Sequence, residues 1–121
     1  MPSRRSLIRL APLALAPAAL ARPAAAHHGW GTFDREQTAD VTAPVVRSTF
    51  ANPHGVVVIR RDNRDLTFEL APVGRMQARG LNEADIAPGR SVRLFGYRNV
   101  QNPSLYRAEW IEVAGRRIEL R

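Results

Sequence analysis

Gly55-Val56-Val57-Val58-Ile59-Arg60-Arg61, Asp62-Asn63-Arg64-Asp65 and Leu66-Thr67-Phe68-Glu69-Leu70 follow one another without a gap, and this stretch decides the fold class. The first run is β-branched and apolar, the composition that fits a pleated, half-buried surface. The second is a short polar turn. In the third, Leu66, Phe68 and Leu70 alternate with Thr67 and Glu69, so one face is buried and the other wet. Two such runs joined by a short polar turn make an antiparallel hairpin.

Toward the N-terminus, Val41, Ala43, Val45, Val46 and Phe50 predict a further strand over Thr38–Phe50, with Pro44 marking a bulge or an edge position. Asn52-Pro53-His54-Gly55 punctuates the passage from that strand into the hairpin. Toward the C-terminus the period changes after Pro72. Val73 to Arg79 predicts a short helix closed by Gly80, and Asn82-Glu83-Ala84-Asp85-Ile86 predicts a capped single turn. After Pro88-Gly89 the strand period resumes in Ser91–Arg98, and it returns in Leu105–Val113 and in a short closing run, Arg117–Leu120. Three strands, a short helix and then two or three strands predict an all-β domain, a small OB-like Greek-key barrel of five to six strands with one short helix between strands 3 and 4. A simple meander sheet is the alternative. No repeat, linker or low-complexity segment divides residues 38–121, which are read as one barrel domain. Residues 27–37, aperiodic and carrying Trp30 and Phe33, are read as an N-terminal arm pinned by those aromatics.

Residues 1–26 read differently. Met1-Pro2-Ser3-Arg4-Arg5-Ser6-Leu7-Ile8-Arg9 is basic and acid-free, Leu10 to Ala21 is uncharged, and Ala24-Ala25-Ala26 supplies the small residues of a cleavage site. This is the layout of a cleaved bacterial export signal. The apolar run is short for a membrane span, which needs about 20 such residues, and Pro12 and Pro17 interrupt it. Ser3-Arg4-Arg5-Ser6-Leu7-Ile8 also has the form of a twin-arginine signal, with general secretion as the other route. Either route predicts a periplasmic address and a mature chain opening His27-His28-Gly29-Trp30. Cleavage would remove four of the 18 arginines and no acid, leaving 14 arginines against 11 acids in 95 residues, so the formal charge would fall from +7 to +3. That mild, interspersed charge does not support a nucleic-acid partner. There is no cysteine, so stability has to come from one packed core, an oligomer or a bound ligand.

The chain's three histidines are His27, His28 and His54, two at the expected new terminus and one in the Asn-Pro-His turn. His27 would offer an imidazole and a free α-amine that chelate together, and His54 would add a third nitrogen. Nitrogen ligation of this kind favours Cu(II), with zinc or nickel less favoured, and the lack of Cys argues against a soft Cu(I) site. The competing reading makes His27 and His28 a tolerated polar start and His54 a turn residue bonded to backbone. Asp34, Glu36 and Asn52 are the nearest candidates in sequence to orient a ligating ring. Arg75 and Arg79, one helical turn apart, read as a solvated face paired with Glu83 or Asp85 rather than as an anion clamp. Trp30, Phe33, Tyr97, Tyr106 and Trp110 read as core and arm anchors before a stacking platform. No glycine loop fit for phosphate appears, and Ser48, Ser91 and Ser104 lie in no nucleophile context, so an enzyme is not expected.

His27-His28-Gly29-Trp30, Asn52-Pro53-His54, Glu69-Leu70-Ala71-Pro72, Arg75-Met76, Arg79-Gly80-Leu81 and Pro88-Gly89, in that order, resemble a family of small secreted bacterial proteins of unknown function, domain-of-unknown-function family 6152. The resemblance spans nearly the whole expected mature chain and implies an exported single β-domain whose shared histidines are His27, His28 and His54. It implies no activity. Gly74 and Arg90 stand where the family carries other polar residues, away from the histidines. Two functional readings follow: a periplasmic copper-type metal-binding module using His27, His28 and His54, or a metal-free module whose barrel face, with Tyr97, Tyr106 or Trp110, engages a protein or envelope partner. The first predicts affinity that falls toward pH 5, because α-amines and imidazoles must lose protons to ligate and ordinarily titrate near about 7.7–8.0 and about 6.5.

Overall fold

The computed structural model describes residues 30–121. The expected export segment, His27 and His28 lie outside the described residues. A 3₁₀ turn at Trp30–Thr32 leads into β1 (Phe33–Thr49), followed by β2 (Val56–Arg61), β3 (Arg64–Glu69), α1 (Val73–Ala78), a second 3₁₀ turn (Glu83–Ile86), β4 (Ser91–Asn99), β5 (Leu105–Val113) and β6 (Arg116–Glu119). Among the described residues no helix is long and apolar enough to cross a membrane.

The six strands form one sheet in the order β3-β2-β1-β4-β5-β6, and a further pairing of β3 with β5 closes five of them into a ring of hydrogen bonds. Every pairing is antiparallel except β3 with β5. This barrel-like closure, with α1 between the third and fourth strands, is the OB-like all-β arrangement expected from the pattern of elements. Closure is possible because β1 and β5 change partners along their length. β1 pairs with β4 through Phe33 to Pro44 and with β2 through Val45 to Thr49. β5 meets β3 at Leu105–Arg107 and β6 at Trp110–Val113. Pro44 sits at the handover of β1, where a missing N–H disturbs the ladder least.

Alternation along the strands sends Val57, Ile59, Leu66, Phe68, Leu94, Ile111 and Val113 inward, and Met76, Leu81 and Ile86 plug the end of the ring beside α1. Each large apolar side chain so buried contributes about 1.5–3 kcal/mol relative to exposure. Among the described residues no polar or charged residue is fully buried.

Two expectations need correction. β1 begins at Phe33, not Thr38, because Phe33 and Asp34 already pair with Asn99 and Arg98 before the register breaks between Asp34 and Thr38. The polar residues Arg35, Glu36 and Gln37 occupy that break, exposed, and they hide the strand from any test of alternation. Arg75 and Arg79 are exposed, as expected of a solvated face, but they are not answered by Glu83 or Asp85. Arg75 donates to the Leu120 carbonyl (3.1 Å) and Arg79 to those of Glu119 (2.7 Å) and Arg121 (2.9 Å), so the helix clamps the C-terminal strand end. Asp85 instead receives the Asn82 N–H at 2.8 Å and stands 3.7 Å from Arg116.

Candidate metal centre

The Asn-Pro-His turn is stitched to the end of β3. Gly55 donates to the Ala71 carbonyl and Leu70 donates to Gly55, both at 2.8 Å. The Asn52 side chain accepts the Val73 N–H at 3.0 Å, satisfying a donor in the first turn of α1. Gly55 lies in close approach to α1: a Cβ there would stand 2.7 Å from the Met76 methyl and 3.0 Å from its sulfur, the flexible end of that side chain. His54 is thereby held at the entrance of β2, its side chain 20% exposed.

Glu69, the last residue of β3, faces it. Glu69 Oε2 lies 3.8 Å from His54 Nε2, and His54 Nδ1 lies 3.4 Å from the Gly55 carbonyl oxygen. With the proton on Nδ1, directed at that carbonyl, the Nε2 lone pair and the Glu69 carboxylate would both face a shared cation; with the proton on Nε2, that nitrogen faces Glu69 as a donor. The carboxylate is shared. Arg107, paired with Glu69 across the parallel β3–β5 contact, places Nη1 3.5 Å from the same Oε2.

Arg107 is in turn covered by the residue that opens the described chain. Its guanidinium carbon sits 5.1 Å from the centre of the Trp30 ring, and Arg121 sits 4.8 Å from the same ring. Tyr97 meets Trp30 edge-on at 5.9 Å. Burial, and then the Glu109 carboxylate, push the Tyr97 hydroxyl above its ordinary pKa. Arg107 Nε and Glu109 Oε2 are buried without a hydrogen-bond partner. Trp30 therefore packs on the arginine that shares Glu69 with His54. His27 precedes Trp30 by three residues, a length of chain that reaches at most about 11 Å when extended.

Of the expected orienting partners, Asp34 accepts the Glu36 N–H at 2.9 Å and Asn52 accepts that of Val73. Glu69 was legible only as a wet-face position in an alternating strand; its approach to His54 depends on how the chain leaves both ends of the hairpin. Among the described residues no group of three or more His, Asp or Glu side chains gathers. A complete metal set built on His54 and Glu69 thus needs donors from residues such as His27 and His28. The aromatic face is largely occupied by the protein itself. Trp110 stacks on Phe95 at 5.5 Å and carries the guanidinium groups of Arg117 (3.8 Å) and Arg93 (5.3 Å), while Tyr106 stacks on Phe68 at 5.0 Å.

Residues 16–104 match the model of a family of unknown function, DUF6152, and the chain belongs to that family. No curated protein matches it.

Proposed function

We propose that this member of the DUF6152 family is an exported, periplasmic binding protein that holds a copper-type transition-metal ion between its mature N-terminus and the Asn52-Pro53-His54 turn. Cleavage after Ala26 frees the α-amine of His27, which chelates together with the His27 imidazole. His54 Nε2 adds a further nitrogen, His28 is a ligand or its neighbour, and Glu69 supplies the oxygen that faces His54. The observation that carries this reading is the half-buried pair at 3.8 Å, His54 Nε2 and Glu69 Oε2, with Trp30 packed on the arginine that shares Glu69. Two donors at that separation fit one ion bound at about 2.0–2.2 Å to each. A nitrogen-rich set with one carboxylate and no thiolate favours Cu(II) over zinc or nickel. The role is binding, not catalysis.

A second reading rests on the Arg107–Glu69 contact: a carboxylate already paired with a buried guanidinium also serves as plain structural support. The domain would then be a metal-free module that engages a protein or envelope partner through its outer face. Intact mass of the protein recovered from the periplasm, followed by calorimetric titration of the same material with Cu(II) and Zn(II), separates the two. A chain starting at His27 that binds one equivalent of metal supports the first reading. A chain starting elsewhere, or one indifferent to metal, leaves the second.

A further inference from the structure

The hairpin that decides the fold ends in an arrangement its stability does not explain. Arg61 and Arg64 are direct cross-strand partners on either side of the two-residue turn Asp62-Asn63, whose residues both have positive φ, 50° and 60°. Like charges directly opposite one another destabilise a strand pair. Both arginines also continue the inward-pointing rows of their strands, Ile59 to Arg61 and Leu66 to Arg64, so their side chains lie over the mouth of the ring. β2 leaves α1 at Gly55 and reaches Arg61 six residues later, about 20 Å along the strand. This mouth is therefore remote from the helix-plugged end and from His54.

At that mouth lies a cleft of about 200 Å³ lined by Arg61, Asp62, Arg64, Leu66 and Tyr106. Its two guanidinium groups are weakly compensated. The Asp62 carboxylate lies 3.9 Å from Arg61 Nε and is itself 92% exposed, and Arg64 donates to the Ser104 hydroxyl at 3.4 Å. The arginines around Trp110 differ, since Arg93 holds Asp40 through two bonds of 2.9 Å and Arg117 holds Glu112 at 3.1 Å. Leu66 is buried and Tyr106 half-buried against Phe68, so the floor of the cleft is apolar and flat beneath a charged rim.

We propose that this cleft binds a small organic carboxylate carrying one flat apolar ring. The carboxylate takes the paired guanidinium groups, which match its geometry bidentately, and the ring lies against Tyr106 and Leu66. The volume falls below the roughly 300–1,000 Å³ of sites for drug-sized ligands, which restricts the ligand to about one ring. The site is independent of the metal reading, being built from different residues at the other end of the ring.

Benzoate is the probe. Titrated into ¹⁵N-labelled protein purified as the cell processes it, benzoate is expected to move the amide signals of Arg61, Asn63, Arg64 and Tyr106 saturably. Neutral benzamide and ring-free acetate should bind at least tenfold more weakly. Arg61→Gln and Arg64→Gln, at exposed positions, should each weaken benzoate at least tenfold while holding or raising the thermal midpoint, since each relieves the facing charges. Shifts that fail to saturate or that centre elsewhere overturn the proposal. So does benzamide binding as well as benzoate, acetate matching benzoate, or indifference to both substitutions.

Discussion

Gly96→Ala is expected to be among the most damaging single-methyl changes in this domain. Gly96 lies where the β4–β5 register breaks, between Phe95 and Gly96, opposite Ala108 and beside Arg107. A Cβ there would collide with the Arg107 carbonyl oxygen and stand 2.9 Å from its carbon and 3.1 Å from the Ala108 Cα. Those obstacles are backbone, so β4 and β5 must separate. Overpacking alone costs about 1–3 kcal/mol, and one ladder hydrogen bond stretched by the separation adds about 1 kcal/mol, for a total of about 2–4 kcal/mol. Gly55→Ala is the control, because there the Cβ meets the end of the Met76 side chain, which rotates away at about 1 kcal/mol. In a domain of this size each kcal/mol moves the thermal midpoint by roughly 4–8 °C, so Gly96→Ala should melt at least about 8 °C below the parent. Urea unfolding with an unchanged m-value gives the free-energy difference directly. A loss under about 1 kcal/mol, or a Gly55→Ala variant as unstable as Gly96→Ala, would refute the reasoning.

Tyr97→Phe should flatten the alkaline limb of stability. The Tyr97 pKa is raised above its ordinary 10.0 by burial and then by Glu109, so its contribution is complete below about pH 10 and is lost as pH rises through the raised value; equal urea midpoints for parent and variant from pH 9 to 11 would count against this. At the acid end the hydrogen bond from Arg93 lowers Asp40, and those from Arg60 and then Arg47 lower Asp65, both from an ordinary 3.8. Their contribution is present above that value and lost as pH falls through the lowered ones, so Asp40→Asn should show a shallower fall in stability below pH 4, measured by circular dichroism. Glu69→Gln keeps the shape but removes the charge facing His54 and Arg107, and as loss of a ligand it should weaken Cu(II) binding by at least the roughly 10–100-fold that loss of an outer-shell partner costs. Calorimetry showing unchanged affinity would remove Glu69 from the site.

The hairpin was legible because Leu66, Phe68 and Leu70 alternate over a whole strand and the turn residues Asp62 and Asn63 tolerate left-handed backbone. The helix was legible because Pro72 and Gly80 bracket it. The first residues of β1 were hidden by an outward bulge of charged residues, which carry no periodicity. The role of Arg75 and Arg79 was hidden because their acceptors are backbone carbonyls 40 to 45 residues away, and carbonyls have no sequence signature. Within the candidate site the histidines stand out by their scarcity, whereas Glu69, Arg107 and Trp30 are joined only by the parallel β3–β5 contact and by docking of the arm. Those are long-range consequences of ring closure.

The most direct measurement is electron paramagnetic resonance of the Cu(II)-loaded protein isolated from the periplasm, compared with His54→Ala prepared in the same way. Nitrogen hyperfine structure is expected from the His27 imidazole, its α-amine and the His54 ring, with one nitrogen fewer in the variant, while both mature chains begin at His27. A spectrum that His54→Ala leaves unchanged, or a mature chain that does not begin at His27, would contradict the proposed metal site.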